Sequence, residues 1–254
     1  SSEPTSVLCE SLPLPHSLRE VVERRLRGLS PSTHAVMLFA ATMGREFDLA
    51  LLQLVASKSD TEILEAISDL VQRHVFEPVE DGAGFRFCHD KLRELPYAAL
   101  DAEQRKHNHL CVARALELRR SQGFAVERAA LGHHLLAAGE PARAVPHLVA
   151  AGDEAMQLNA LDRAVAQYAA AEQAIMADSP VMQPDRSALC DVREKLADVL
   201  SLLGQLEAAY AALERALSVV PADAQLLRAR QLRKLGKVLE ILHRHDAALE
   251  AYAS

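Results

Sequence analysis

The sequence predicts an all-α fold carrying one small β-hairpin, organised as a compact helical domain followed by stacked helix pairs. Three observations carry this. Hydrophobic residues make up 50% of the chain, yet aromatics are 4% and Trp is absent, so the apolar content is mostly Ala and Leu. Ala loses no side-chain entropy in a helix, and Leu loses little. Helical apolar spacing recurs along the chain and is interrupted by a single stretch of strand-like alternation. From about Val126 onward a turn residue, a small residue and a larger apolar residue recur in a fixed order.

The elements follow in order. Residues 1–16 are rich in Ser and Pro and read as a linker. A first helix starts near Ser17, with Leu18, Val21, Val22, Leu26 and Leu29. Ser30-Pro31 supplies an N-cap and a first helical position for a second helix, which stops at Gly44. Asp48 starts a third and Asp60 a fourth, the latter with Ile63, Leu64, Ile67, Leu70 and Val71 on one face. Val75–Val79 and Phe85–Cys88 alternate across a Glu80–Gly84 turn, as a β-hairpin does. Helices leading into a single hairpin predict a winged-helix-like domain over residues 17–124, completed by connecting helices near 90–100, despite Pro96, and 102–120.

Residues 125–254 predict a superhelical array of tetratricopeptide-like helix pairs. The recurring sets are Gly132, Gly139, Ala144, Leu148, Ala151; Gly152, Asn159, Ala164, Tyr168, Ala171; Leu203, Gly204, Ala209, Leu213, Ala216, Pro221; and Gly236, His243, Ala248, Tyr252. The first two sets lie so close that they must share a helix, about Pro141 to Leu158. Residues 178–186 read as a longer inter-helix loop. No polar capping helix is visible at the end, which implies a truncated array and a fragment of a longer protein.

Composition narrows the function. The formal net charge of −7 and pI near 5.9 argue against a chain built to neutralise phosphates. Residues 1–124 hold 15 Lys/Arg against 18 Asp/Glu, and the helix before the hairpin carries Asp60, Glu62, Glu65 and Asp69. Nucleic-acid binding is therefore not expected, and a DNA-binding regulator is the weaker alternative. No run of 18 apolar residues occurs and no signal peptide is recognisable, so a cytoplasmic location is expected. Cys9, Cys88, Cys111 and Cys190 are scattered and read as free thiols. His107, His109, Cys111, His133, His134, His243 and His245 do not form a converging ligand set, so no metal is expected. No GxSxG, HExxH or GxxxxGK[ST] motif occurs, so this fragment is not expected to be an enzyme or to hold a cofactor itself. Glu194 and Asp198 read as part of a solvated face, and Arg114, Arg119 and Arg120 as an exposed helix end.

In arrays of paired helices the first helix of each pair lines a groove. Candidate groove residues are His133, Leu136, Gln157, Arg193, Asp198, Arg233 and Lys237. A protein or peptide partner, or a small ligand, is the expected occupant.

Several stretches resemble a family. Leu14–Leu26, Ala40–Phe47 and above all Phe85-Arg86-Phe87-Cys88-His89-Asp90, followed by Tyr97, look like the region after the ATPase core in bacterial STAND-type signalling ATPases. The resemblance implies an ATPase module ahead of this chain, then a winged-helix domain and tetratricopeptide-like repeats. In some members a protein kinase, cyclase or DNA-binding domain is added. It implies ATP or ADP as the nucleotide of the full-length protein. It also implies that His89, beside Asp90, contacts the β-phosphate of ADP in a closed state. A passive scaffold, whose groove holds a partner without nucleotide coupling, is the alternative.

Overall fold

The computed structural model describes residues 16–79, 82, 84–177, 185–221 and 223–253. The fold is all-α with one small sheet. It divides into two compact units, residues 1–115 and 116–254. The division falls inside a helix, slightly ahead of the expected boundary at 124. Residues 1–15 of the expected linker, residues 178–184 of the expected loop, and Glu80, Asp81 and Ala83 of the hairpin turn lie outside the described residues.

In the N-terminal unit, α1 (His16–Leu26) is followed by α2 (Pro31–Met43). Ser30 caps α2 by accepting from the Thr33 N–H, with Pro31 in the first turn, and the helix ends at Gly44 as expected. The short strand β1 (Glu46–Asp48) leads into α3 (Leu49–Ala56), capped by Asp48. Helix α4 (Asp60–Gln72) starts at Asp60 as expected and is capped by Ser59. Ser59 and Glu62 bond each other's backbone N–H in a capping box, so Asp60 lies in the first turn. Strands β2 (Phe76–Pro78) and β3 (Gly84–Phe87) form the expected hairpin.

The sheet has three strands rather than two, in the order β1-β3-β2 and antiparallel throughout. Phe47 sits opposite Phe85, and Phe76 opposite Phe87. A Cβ on Gly84 would lie 2.4 Å from the Phe47 carbonyl oxygen, so only glycine lets β1 approach β3 this closely. The rings of Phe47, Phe76 and Phe87 meet edge to face, with centroids 4.9–6.0 Å apart. Met37, Leu52, Ile63, Leu70 and Leu92 close the core around them. Helices α5 (Asp90–Ala99, containing Pro96) and α6 (Ala102–Ser121) follow.

The C-terminal unit is a run of helices, each packed on the next: α7 (Arg128–Ala137), α8 (Pro141–Gln157), α9 (Leu161–Ala177), α10 (Arg186–Leu202), α11 (Leu206–Leu217), α12 (Gln225–Ile241) and α13 (His245–Ala253). The turn residues singled out in the sequence adopt the left-handed conformation: Gly139 (φ 79°), Asn159 (54°), Gly204 (73°) and His243 (58°). Five residues after each, Ala144, Ala164, Ala209 and Ala248 are buried.

The glycines that open three of the sequence sets, Gly132, Gly152 and Gly236, carry a second regularity. Each hairpin closes on a seam residue that faces a larger side chain sixteen positions later. Gly132 faces Leu148, Gly152 faces Tyr168 and Gly236 faces Tyr252; a Cβ on any of these glycines would approach that side chain within 2.4–2.7 Å. Ala197 and Leu213, both buried, stand at the same spacing in the α10/α11 hairpin. Helix α8 serves two seams, meeting α7 through Leu148 and α9 through Gly152, as the close spacing of the first two sets requires.

Candidate partner-binding surface

The first helices of three successive hairpins, α8, α10 and α12, are joined by a repeated ion pair. The residue after the seam in one helix binds a lysine two positions before the seam in the following helix. Asp153 accepts from Lys195 at 2.5 Å, and Asp198 accepts from Lys234 at 2.6 Å. Asp153 also accepts from the Tyr168 hydroxyl at 2.6 Å, while the Lys195 ammonium lies 5.7 Å from the Tyr168 ring centre. Burial works to raise the Asp153 pKa, but the Lys195 and Tyr168 hydrogen bonds outweigh it and hold the carboxyl below its ordinary value. Burial and the adjoining carboxylate push the Tyr168 hydroxyl strongly upward, so it stays a donor.

Two open cavities flank this contact. One, of about 400 Å³, is lined by Asp153, Gln157, Tyr168, Lys195 and Asp198. The other, of about 410 Å³, has an apolar lining of Val145, Pro146, Val149, Ala188 and Val192, with Asp153 and Lys195 between the two. A third, of about 310 Å³, lies among α10, α11 and α12 and is lined by Asp198, Leu202, Leu213, Lys237 and Ile241.

Between α10 and α12 the contact is denser. Glu194 is 6% exposed and binds Arg230, Lys234 (2.6 Å) and the amide of the fully buried Gln231 (2.5 Å). Burial favours its neutral form, but the bonds from Lys234, Arg230 and Gln231 keep its pKa below the ordinary value. Glu194 is therefore not part of a solvated face: its partners lie on the next helix, out of reach of any reading based on α10 alone. Asp198, by contrast, is exposed.

The structure brings some candidate groove residues together. Gln157 and Asp198 share one cavity, and Asp198 and Lys237 another. Arg193 is only 7% exposed. It is fixed by Glu172 at 2.7 Å and by the Arg215 carbonyl at 2.6 Å, so it ties α10 to α9 and α11. His133 is exposed and Leu136 half-buried on α7, away from these cavities. Arg233 and Lys237 are exposed on one face of α12. Sequence reasoning missed Asp153, Lys195, Arg230 and Lys234. Their signal was the repeated offset from the seam, which becomes visible only once Ala197 is recognised as equivalent to Gly152 and Gly236.

In the N-terminal unit, His89 rather than Asp90 caps α5. Its Nδ1 accepts from the Lys91 N–H at 3.1 Å, and the ring is exposed. An accepting Nδ1 places the proton of a neutral imidazole on Nε2. Asp90, in the first turn, faces Arg45 at 3.4 Å. His107 and Cys111 share a face of α6, with Nε2 and Sγ 3.5 Å apart. Among the described residues, no group of three or more His, Cys, Asp or Glu is placed to hold a metal ion. No helix among them is long and apolar enough to cross a membrane.

No protein-family model and no curated protein matches this chain. Among solved structures, it is similar to the crystal structure of a Signal Transduction ATPase with Numerous Domains from Pyrococcus horikoshii that has a tetratricopeptide repeat sensor. The identity is 12%, and the alignment covers 99% of this chain and 52% of the other, with a TM-score of 0.29. The chain thus spans about half the length of that protein, and a likeness so distant carries no weight by itself.

Proposed function

We propose that this chain is the regulatory and sensor region of a STAND-type signalling ATPase, acting in the cytoplasm of a bacterium. The N-terminal unit supports a winged-helix-like reading through its helix, strand, helix, helix, strand, strand order from α2 to β3. The repeats offer a surface for a partner protein, peptide or small ligand. Its occupation would bias a nucleotide switch between an ADP-closed and an ATP-open state.

The observation that carries the switch reading is His89. Its Nδ1 is engaged at the start of α5, which leaves an exposed Nε2–H as a donor beside a helix N-terminus. Both the donor and the N-terminal end of the helix dipole suit a phosphate oxygen. The fit is to a nucleotide phosphate presented by the ATPase module of the longer protein; the bound nucleotide would supply the negative charge that the closed state recognises. The test is His89→Ala in the full-length protein, followed by basal output and ADP titration. Raised basal activity with weakened ADP binding is expected. Unchanged activity and ADP affinity, with peptide binding to the repeats intact, would leave the passive scaffold as the correct reading.

A further inference from the structure

The spaces between α8 and α10 and between α10 and α12 are equivalent, but at the level of Glu194 only the second is filled by the chain's own side chains. Counted from the seam residues Gly152, Ala197 and Gly236, Val149 on α8 stands where α10 has Glu194. Val192 and Ala188 on α10 stand where α12 has Gln231 and Leu227, and Asp191 stands where α12 has Arg230. Between α10 and α12, Arg230 crosses to Glu194, its Nε donating at 2.8 Å, and its guanidinium lies 3.5 Å from Asp191. Gln231 is fully buried there. Between α8 and α10 all of these positions carry shorter side chains, and the open cavity of about 410 Å³ is the result.

The walls of that cavity match the side chain that crosses the equivalent space. Val145, Val149 and Val192 form an aliphatic slot. The rim holds Asp153, Asp191 and Lys195, two carboxylates against one ammonium. Lys195 is engaged by Asp153 at 2.5 Å and lies over the Tyr168 ring. Asp191, with a side chain 55% exposed, has the long contact to Arg230 and capacity for a second donor. Pro146, also in the lining, has no N–H to give the Ala142 carbonyl, which adds an acceptor on the α8 side. An aliphatic stem ending in a planar, positive donor group suits this set, whereas an anion would meet both carboxylates. Both walls lie inside the array, so a helix stacked beyond α13 would not reach the cavity.

We propose that the cavity between α8 and α10 receives an arginine side chain of a partner protein. The stem would lie between Val149 and Val192, and the guanidinium would bind Asp191, as Arg230 binds Glu194 one step along the array. The inference rests on the reading of the repeats as a partner surface, names the side chain that surface selects, and does not depend on the nucleotide switch.

The test is a peptide titration of the 254-residue chain with labelled valine methyl groups, followed by nuclear magnetic resonance. One probe is an Ala-rich peptide with a single Arg; its twin has citrulline, which keeps the stem and the planar group without the charge. The arginine peptide should shift the Val149 and Val192 methyl signals saturably and bind at least about fivefold more tightly than the twin. Asp191→Asn should remove that preference and leave binding of the citrulline peptide unchanged. Its fold should survive, because the exposed contact of Asp191 with Arg230 contributes little. Ala188→Leu, which copies Leu227 into the cavity, should weaken both peptides without altering the far-ultraviolet circular dichroism. Equal binding of the twins, a preference that Asp191→Asn leaves intact, or tighter binding of a glutamate twin would overturn the arginine assignment and leave the partner surface standing. Saturable shifts confined to valines outside the cavity, such as Val238, would do the same. Absence of saturable shifts with either twin would overturn both readings. None of these outcomes bears on His89.

Discussion

The two units solve the same problem, burying apolar surface, in opposite ways. The N-terminal unit gathers residues distant in sequence around one knot of phenylalanine rings: Phe47 from β1, Phe76 from β2 and Phe87 from β3. Among its described residues, the C-terminal unit has no such knot of rings. Its burial is spread along seams in which a glycine or alanine admits a side chain from the adjacent helix, and charged pairs link one hairpin to the next. The first arrangement ties the whole unit to one cluster. The second ties each hairpin mainly to its neighbours, so a local change there should stay local.

The strongest way to break that contrast is Phe87→Ala. Phe87 is fully buried against two other rings, and truncating it should cost about 4 kcal/mol. Urea unfolding followed by hydrogen exchange should show protection lost throughout the N-terminal unit at once. Loss confined to the sheet would mean that this core is no more cooperative than the repeats.

A smaller effect is expected from Gly152→Ala, about 2 kcal/mol. Overpacking against the Tyr168 ring outweighs the better helix propensity of alanine. Exchange should rise in α8 and α9 and leave α12 and α13 unchanged. Adding Tyr168→Leu should recover part of the loss, because the ring edge is the obstacle.

Acid provides the gentlest comparison. Burial, and then the charge of Arg105, hold the His109 imidazole below its ordinary pKa of 6.5, while the Tyr97 hydroxyl lies 2.8 Å from its Nε2. The unfolded chain therefore takes up that proton first. The stability from a neutral His109 is complete above pH 6.5 and declines as the pH falls below it. Asp153 and Glu194 also have depressed folded pKa values. Their contribution is complete above the ordinary values of 3.8 and 4.5 and is lost as pH falls through the folded values. Melting curves between pH 7.5 and 5 should thus soften the N-terminal unit in a way that His109→Gln abolishes. The carboxylate ladder should hold until the pH is lower still. His147, whose pKa burial also lowers, gives the C-terminal unit a counterpart that His147→Gln removes.

What the sequence made legible follows the same divide. The turns at Gly139, Asn159, Gly204 and His243 were readable because a left-handed backbone selects for glycine, or for a side chain that tolerates it, at a fixed distance before a buried alanine. The caps at Ser30 and Asp48 were readable from local chemistry. Strand β1 was not, because three residues are too few to show alternation and its pairing depends on Gly84, far along the chain. The start of α4 at Asp60 was readable, and the capping box of Ser59 with Glu62 fixes it. Glu194 was misread because its burial is imposed by α12, and no pattern within α10 reveals which helix will lie beside it. Of the groove candidates, Gln157, Asp198 and Lys237 line cavities, whereas Arg193 is fastened inside the packing.

Helix α8, used on both sides, has an outcome for protein engineering. Excising residues 140–159 would join Gly139 to Ala160 and bring Tyr168 sixteen places after Gly132, restoring a closure of the kind that Gly152 now provides. A single helix, rather than a pair, is thus the smallest length that can be cut from this part of the chain with its phase preserved. The shortened polypeptide would keep that closure, lose the Asp153 link to Lys195 and Tyr168, and run every later helix in the reverse sense relative to α7.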